Sequence, residues 1–404
     1  MTMNERGIVF ITRAFYGGRG NWDRELMEQL VKRGYNVHAI TCPFPVQYKN
    51  EEKKLIDSGV KFHFINSWNY FLFFIISVFK LYKIASENII LYTPSSKPIP
   101  FYYILTKLMK IPIVFSLQGA EVKEIDTMPE FEGLRKHILQ YKLKRKVVEF
   151  LEKTSAKLAD SVIVISKAIE DELIHLGIPE KKINLIYYAI DTNIFKKNLK
   201  KRREIREYYG IGSNDIVISY VARLSKSNAP TRMWSAEMLL KTFASISPSH
   251  PCVKIMFVGG GDGVKYLKNM CKDYGIEEHV IFVGFVPHEK VPEYLSASDI
   301  FWFVMGYPIP TYGLALQEAM SCENIVIAND SGAMREVIID GYNGFLVEPK
   351  EDKMREKLME ILKMERGELE NIKRAARKHA EDKYSWDVVL PRIMSIFYEV
   401  SKER

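Results

Sequence analysis

The 404-residue chain has little cysteine and builds no motif on it: Cys42, Cys252, Cys271 and Cys322 are scattered, with no CxxC and no histidine at zinc spacing. A disulfide scaffold and a zinc module are thereby excluded, and the four are expected to be small buried hydrophobes in a reducing cytoplasm. Histidine offers no cluster either. His38, His63 and His175 fall on expected strands or helices with no carboxylate beside them, and read as core or surface residues. Long apolar runs are also missing. The longest, Phe71 to Phe79, is nine residues, where a membrane span needs about 20; it reads as a core helix, with an interfacial segment as the alternative. No cleavable leader is visible, because Met1 to Arg6 lead straight into the strand-like Gly7 to Thr12. No recognition-helix, RRM-like or finger signature is present, so nucleic acid is not an expected partner.

What is there is a globular composition. With 47% hydrophobic and 27% charged residues the chain has apolar surface for two cores, and its length calls for two domains of roughly 200 residues. The net charge of +8 is uneven: cations exceed acids by nine in residues 1–200 and fall one short in 201–404. The densest part, Arg135 to Lys146, holds six cations and no acid. Leu134, Ile138, Tyr141, Val148 and Leu151 recur there at helical spacing, so the cations flank an amphipathic helix. That helix reads equally as a solvated face or as a site for an anionic membrane surface or an anionic acceptor.

Short apolar runs alternate with helical patterns along the whole chain. Gly7 to Thr12, Asn36 to Thr41, Val60 to Ile65, Asn88 to Thr93, Ile111 to Leu117, Ser161 to Ile165 and Ile183 to Tyr187 read as buried parallel strands separated by helix-length segments. A charged, helix-poor stretch from about Asp191 to Arg206 is expected to be a linker. The pattern restarts with Asp215 to Val221, Val253 to Val258, Val280 to Val283, Ile300 to Val304 and Ile325 to Ala328. The fold class is therefore α/β, with two doubly wound halves facing across a cleft. The expected division is 1–195, 196–385 and a final helix, 386–404, packing back on the first half; Pro391 would kink that helix or set its first turn.

Glycine turns after strands mark where a backbone can approach a ligand. Tyr16-Gly17-Gly18-Arg19-Gly20 follows the first strand of the first half, and Gly259-Gly260-Gly261-Asp262-Gly263 follows a strand of the second. The first lacks a full GxGxxG with a downstream ribose acid, so a dinucleotide site is poorly supported, and the second could cradle phosphate or equally be a tight turn into the helix Val264 to Tyr274. The strand ending at Val221 delivers Arg223 and Lys226 to its carboxyl end, where a guanidinium can clamp a diphosphate. Thr311-Tyr312-Gly313-Leu314 opens a helix carrying Glu318: its N–H groups and dipole suit phosphate, and the carboxylate suits sugar hydroxyls. Tyr307 and Tyr312 could stack on a base or sugar, or merely shape the loop, while Trp302 and Phe303 read as core.

The order of these motifs resembles one family. Val221-Ala222-Arg223-Leu224, Val258-Gly259-Gly260-Gly261, Val280 to Pro287, Ser298-Asp299, Tyr312-Gly313-Leu314 with Glu318-Ala319-Met320, Glu336 and Asn343 to Val347 look like the carboxyl-terminal half of GT-B glycosyltransferases of family four. Gly17-Gly18, Arg33 to Val37, Ala159 to Ser166 and Tyr188 to Phe195 resemble its amino-terminal half. The resemblance implies two Rossmann-like domains, with a nucleotide-diphosphate sugar held mainly by the second and the sugar passed, with retention, to a glycan, lipid or other acceptor on the first. It implies Arg223 on the diphosphate, Glu318 on the ribose, the N–H groups around Thr311, Tyr312, Gly313 and Leu314 on the phosphates, and Gly17 and Gly18 facing the leaving phosphate and acceptor. Gly259 belongs to the same donor site. No cofactor or metal is implied beyond the donor, and the chain has no Asp-x-Asp pair. A cytoplasmic enzyme of cell-envelope or polysaccharide biosynthesis is the expectation, peripheral on the inner membrane face if the basic helix binds lipid.

Three positions depart from the family pattern. Pro310 stands where the first glutamate of the usual pair is expected, Asn228 where a lysine is expected, and Gln118 where a histidine precedes the glycine of Gly119. Lys226 or Arg232 would supply the missing charge, and Gln118 can donate and accept hydrogen bonds but cannot exchange a proton. The alternative is a catalytically degenerate relative that binds nucleotide sugar or a partner without transfer. An epimerase or phosphorylase of the same architecture would need acid/base residues or a cofactor lysine in contexts not evident in the chain.

Overall fold

The computed structural model of the protein describes residues 7–15, 18–67, 69–84, 89–95, 99–118, 138–227, 229–305 and 313–402. Gly17, Asn228, Tyr307, Pro310, Thr311, Tyr312 and residues 135–137 of the basic run lie outside the described residues, as do the side chains of 138–145. The chain forms two compact units, residues 1–189 with 386–404, and residues 190–385.

In the first unit strand and helix alternate as β1 (Gly7–Ile11), α1 (Gly18–Lys32), β2 (Asn36–Thr41), α2 (Lys49–Ser58), β3 (Lys61–Phe64), α3 (Tyr70–Ile84), β4 (Ile89–Thr93), α4 (Ile99–Leu108), β5 (Ile113–Leu117), α5 (Ile138–Leu158), β6 (Ser161–Val164), α6 (Lys167–His175) and β7 (Ile183–Leu185). The seven strands lie in the order β3-β2-β1-β4-β5-β6-β7, all parallel. Helices on both faces bury both sides of the central strands, and for this reason β1, β4 and β5 are continuous apolar runs, buried throughout, rather than alternating ones.

The second unit repeats the scheme: α7 (Leu199–Tyr208), β8 (Ile216–Val221), α8 (Pro230–Ala244), β9 (Val253–Val258), α9 (Val264–Tyr274), β10 (Val280–Gly284), α10 (Val291–Ala297), β11 (Ile300–Phe303), α11 (Leu314–Ser321), β12 (Ile325–Asn329), α12 (Met334–Val337), β13 (Phe345–Val347), α13 (Glu351–Lys363) and α14 (Arg366–Tyr384). Its six strands run β10-β9-β8-β11-β12-β13, again parallel. Trp302 and Phe303 on β11 are buried. The last helix, α15 (Trp386–Lys402), belongs to the first unit. There Trp386 stacks on Trp22 with ring centroids 5.1 Å apart and donates its indole N–H to Glu25 at 3.0 Å. Pro391 sits inside α15, which continues through it.

Four expectations are corrected. The stretch from Asp191 to Arg206 is not helix-poor, since it contains most of α7. Two of its charges point inward: Arg202 and Arg206, one turn apart, donate to Asp299 at 2.7 and 3.3 Å, and Arg206 also to the Ala297 carbonyl at 3.0 Å. Asn198 caps the helix by accepting from the Lys201 N–H at 3.0 Å. Phe71 to Phe79 does not form a fully buried core helix: α3 buries Phe73 and Leu81 but exposes Phe71, Ile75 and Phe79. The helix is apolar on every face, so packing one side leaves the other uncovered. Cys252 is exposed, unlike the other three cysteines. Finally, β13 is a strand the alternation did not mark, being only three residues long.

Candidate functional site

In open parallel sheets ligands sit outside the carboxyl ends of the strands, where the strand order reverses. In the second unit that point is β8, flanked by β9 on one side and β11 on the other. Three described segments therefore belong to one sheet edge: residues 222–227 after β8, 259–263 after β9, and Gly313 at the start of α11, the helix that follows β11.

The first two segments are laced together by backbone. Leu224 N–H donates to the Gly260 carbonyl at 3.0 Å, Gly263 N–H to the Leu224 carbonyl at 2.9 Å, and Gly259 N–H to the Gly284 carbonyl at 2.8 Å. Asp262 accepts from the Lys226 N–H at 2.9 Å and the Ser227 hydroxyl at 3.0 Å. The serine hydroxyls, Ser225 foremost, hold its carboxyl below the usual range. Gly259 has φ +135°, and a Cβ there would lie 1.9 Å from the Ala222 carbonyl oxygen. The close approach of two backbones thus dictates that glycine, a reason for it that needs no ligand.

Onto this platform the sequence places its cations. Arg223 is exposed and makes no hydrogen bond or ion pair with the described residues. Lys226 is parked over the Tyr266 ring, its Nζ 3.1 Å from the centroid. Arg232 is exposed on α8, where its carbonyl accepts from the Tyr220 hydroxyl at 2.9 Å.

Gly313 stands at the start of α11 with no side-chain cap, so the N–H groups opening at Leu314 are left to other partners. A Cβ on Gly313 would come within 2.8 Å of the Phe303 ring. Glu318 lies one turn further on and is buried, with Oε1 2.7 Å from His288 Nε2. The Phe195 ring packs against that imidazole, centroids 5.2 Å apart. Arg377 on α14 fixes the far end of the helix by donating to the Ser321 carbonyl at 2.7 Å and, with its other nitrogen, to the Thr192 carbonyl at 3.0 Å. His288 was not singled out in the sequence. Only its position after the Pro287 turn was visible, and its partner is 30 residues away.

In the first unit the reversal falls at β1 and β4. Gly18 is the first residue of α1, and Gln118 directly follows β5. Gln118 is buried and donates through Nε2 to Asp23 Oδ1 at 2.8 Å; Tyr92 donates to the same oxygen at 3.2 Å, and Trp22 Nε1 to the Tyr92 hydroxyl at 3.3 Å. Tyr188 closes the group by donating to the Gln118 carbonyl at 3.1 Å. Burial pushes the Asp23 carboxyl up to about 7, against the pull of the Gln118 and Tyr92 hydrogen bonds and of Arg24. The titratable group that Gln118 lacks is thus next to it. Asp23 was missed because nothing in its neighbours along the chain signals that Tyr92 and Gln118 enclose it. His38 and His63 also meet across β2 and β3, with nitrogens 2.9 Å apart.

Among the described residues no group of three or more His, Cys, Asp or Glu is arranged to hold a metal ion, and no described helix is long and apolar enough to cross a membrane.

Comparison with known proteins gives these arrangements a family. Residues 16–194 match the family described as glycosyltransferase family 4, and residues 201–379 that described as glycosyl transferases group 1. The chain is 24% identical over 394 residues to the N-acetyl-alpha-D-glucosaminyl L-malate synthase of Bacillus anthracis, covering 96% of this chain and 95% of that one. It is 27% identical over 195 residues to a GDP-mannose-dependent phosphatidylinositol monomannoside mannosyltransferase of Mycolicibacterium smegmatis, covering 47% and 49% of the two chains. Among solved structures it is similar to Anabaena HepE in complex with UDP-glucose, with a TM-score of 0.75 and 21% identity over 97% of this chain and 99% of that one. That likeness establishes the fold, two parallel α/β sheets of the Rossmann-like kind. Each sheet-bearing unit thus carries a glycosyltransferase match of its own, and the chain belongs to the group 1, family 4 glycosyltransferases of the GT-B fold.

Proposed function

We propose that the protein transfers a sugar from a nucleotide-diphosphate sugar to a glycan, lipid or other acceptor, with retention at the anomeric carbon and without a bound metal. The single observation that carries the reading is the edge at β8, where the exposed Arg223, the backbone-laced loops and the uncapped start of α11 gather on one side of the sheet. Exposed guanidinium and free N–H dipoles are the groups a departing diphosphate needs when charge develops on it. In this reading Arg223, with Lys226 and Arg232, neutralises the diphosphate, the N–H groups from Thr311 to Leu314 cradle it, and Gly259 lets the loop lie close. Glu318, oriented by His288, accepts from the ribose hydroxyls. Gly17, Gly18 and Gln118 belong to the acceptor side, and a front-face route asks for no strong side-chain base at Gln118.

Support for the donor class comes from HepE, a protein of the same fold solved with UDP-glucose. The two named relatives are as different as a glucosaminyl L-malate synthase and a phosphatidylinositol monomannoside mannosyltransferase, so the acceptor is left as a class.

A thermal-shift screen of nucleoside diphosphates and their sugars, followed by transfer and hydrolysis assays, tests the proposal. One donor should raise Tm, a stabilisation of about 2.7 kcal/mol at a hundredfold excess over Kd. Glu318→Ala should abolish the shift. Arg223→Ala should lower turnover by roughly 10²–10³-fold. Binding with no turnover on a broad acceptor panel would leave the degenerate relative as the reading, and neither binding nor turnover would overturn both.

A further inference from the structure

We infer that the first unit docks on an anionic lipid bilayer through the joined outer faces of α3, α4 and α5. The inference holds whether or not the chain transfers a sugar, and its test uses no donor.

The observation is a run of large apolar side chains left in water on three neighbouring helices. On α3, Phe79 is 65% exposed; on α4, Ile104 is 71% and Leu108 79% exposed; on α5, Phe150 is 67% exposed. The helices are contiguous: Phe74 of α3 stacks on Phe101 of α4 with centroids 5.3 Å apart, and α4 lies against α5. Single exposed apolar residues are ordinary on protein surfaces, but a face shared by three helices marks a place where something docks.

Charge decides the occupant. Neither α3 nor α4 contains an aspartate or glutamate, while Lys80, Lys83 and Lys107 lie on them. α5 opens with Lys142, Lys144, Arg145 and Lys146 before its first acid, Glu149. An apolar face on helices that carry lysines and no acid on α3 or α4 matches an anionic headgroup layer over acyl chains: the aromatic and aliphatic tips enter the boundary while lysine stems reach back to the headgroups. A second copy of the chain fits worse. A two-fold contact on this face would bring two lysine-bearing surfaces together, with no acid on α3 or α4 and only Glu149 on α5, as Glu152 is buried, to oppose Lys80, Lys83 and Lys107. α3 and α4 are too short to span, at 15 and 10 residues, and no described helix is long and apolar enough to cross, so the contact lies on the bilayer.

The test is co-sedimentation of the full chain with vesicles of phosphatidylglycerol and phosphatidylcholine, against vesicles of phosphatidylcholine alone. The wild type should sediment with the anionic vesicles, less so as salt rises, and remain in solution with the neutral ones. The triple variant Phe79→Ser, Ile104→Ser, Phe150→Ser should lose at least about tenfold in partitioning. Lys80→Glu, Lys83→Glu, Lys107→Glu should lose as much without removing an apolar contact, so it carries the test should the first variant fail to fold. Leu199→Ser with Tyr208→Ser, exposed in the second unit, should change nothing. Absence of wild-type binding to anionic vesicles would overturn the inference, as would retention of binding by both triple variants. A wild-type dimer by light scattering that the serine variant turns into a monomer would overturn it too, assigning the face to self-association.

Discussion

The two units carry the same strand and helix alternation, yet the edges at which their sheets reverse differ in chemistry. In the first, Asp23, Tyr92, Gln118 and Trp22 form a buried group in which hydrogen bonds are closed among side chains. In the second, side chains are left open and the backbone does the closing: loops 222–227 and 259–263 exchange N–H and carbonyl groups while Arg223 and Arg232 face solvent. Among the described residues, the first edge closes its polar groups on one another, while the second presents two arginines to solvent. Under the proposed function, that difference fits an anionic donor on the second unit and a more neutral, shape-defining role for the first.

The sharpest way to break the comparison is to damage the backbone lacing. Gly259→Ala adds a Cβ 1.9 Å from the Ala222 carbonyl oxygen at a φ of +135°, and neither the backbone nor the dihedral can give cheaply. A loss of roughly 4 kcal/mol or more in unfolding free energy is expected, measured by urea titration. Gly20→Ala in the first unit meets the Phe15 carbonyl carbon at 2.4 Å, but without the positive φ, so it should cost less. If Gly259→Ala is tolerated within about 1 kcal/mol, backbone closure is not what holds the second edge.

The buried acid is the next lever. Asp23 titrates near 7 in the folded protein against an ordinary 3.8, so the fold binds its proton more tightly than the unfolded chain does. Its contribution is full below about pH 4 and is lost as pH rises through 7. Asp23→Asn should therefore match the wild type at pH 4 and exceed it above pH 7 by roughly 2–4 kcal/mol. Urea unfolding of both proteins at intervals from pH 4 to 8 isolates the difference from other carboxylates. A difference independent of pH would mean that Asp23 is ionised throughout.

Which parts were legible follows from where their causes lie. The central strands could be placed because burial on both faces makes each an apolar run, a local signal, and the edge strands β3, β7 and β10 because short apolar runs still alternate with helix-length segments; β13, at three residues, is too short to give one. Arg223 and Lys226 could be nominated because a residue just past a strand end is positioned by the strand itself. Asp23 and His288 could not, because their roles depend on partners 95 and 30 residues away. The charges of Arg202 and Arg206 misled for the same reason: solvent and Asp299 look alike until the sheet brings Asp299 beneath them. Phe71 to Phe79 misled differently, since a helix apolar on all sides carries no periodicity to tell its covered face from its bare one.

The smallest effect concerns how open the second edge is. Lys226 Nζ rests 3.1 Å above the centroid of Tyr266, a half-exposed cation–π contact worth about 0.5–1 kcal/mol. A diphosphate that recruits Lys226 must first draw it off the ring, so the contact competes with binding. Tyr266→Leu should then tighten the affinity for a nucleoside diphosphate by up to about fivefold, while Lys226→Gln weakens it, both read by isothermal titration calorimetry. Tyr266 lies on α9 and meets Lys226 through its ring face, so leucine removes the attraction while keeping an apolar body in place. Weaker binding by Tyr266→Leu would show that the ring steers Lys226 toward the ligand instead of holding it back. The second edge would then be preorganised like the first, and the contrast between the units would narrow to the burial of their polar groups.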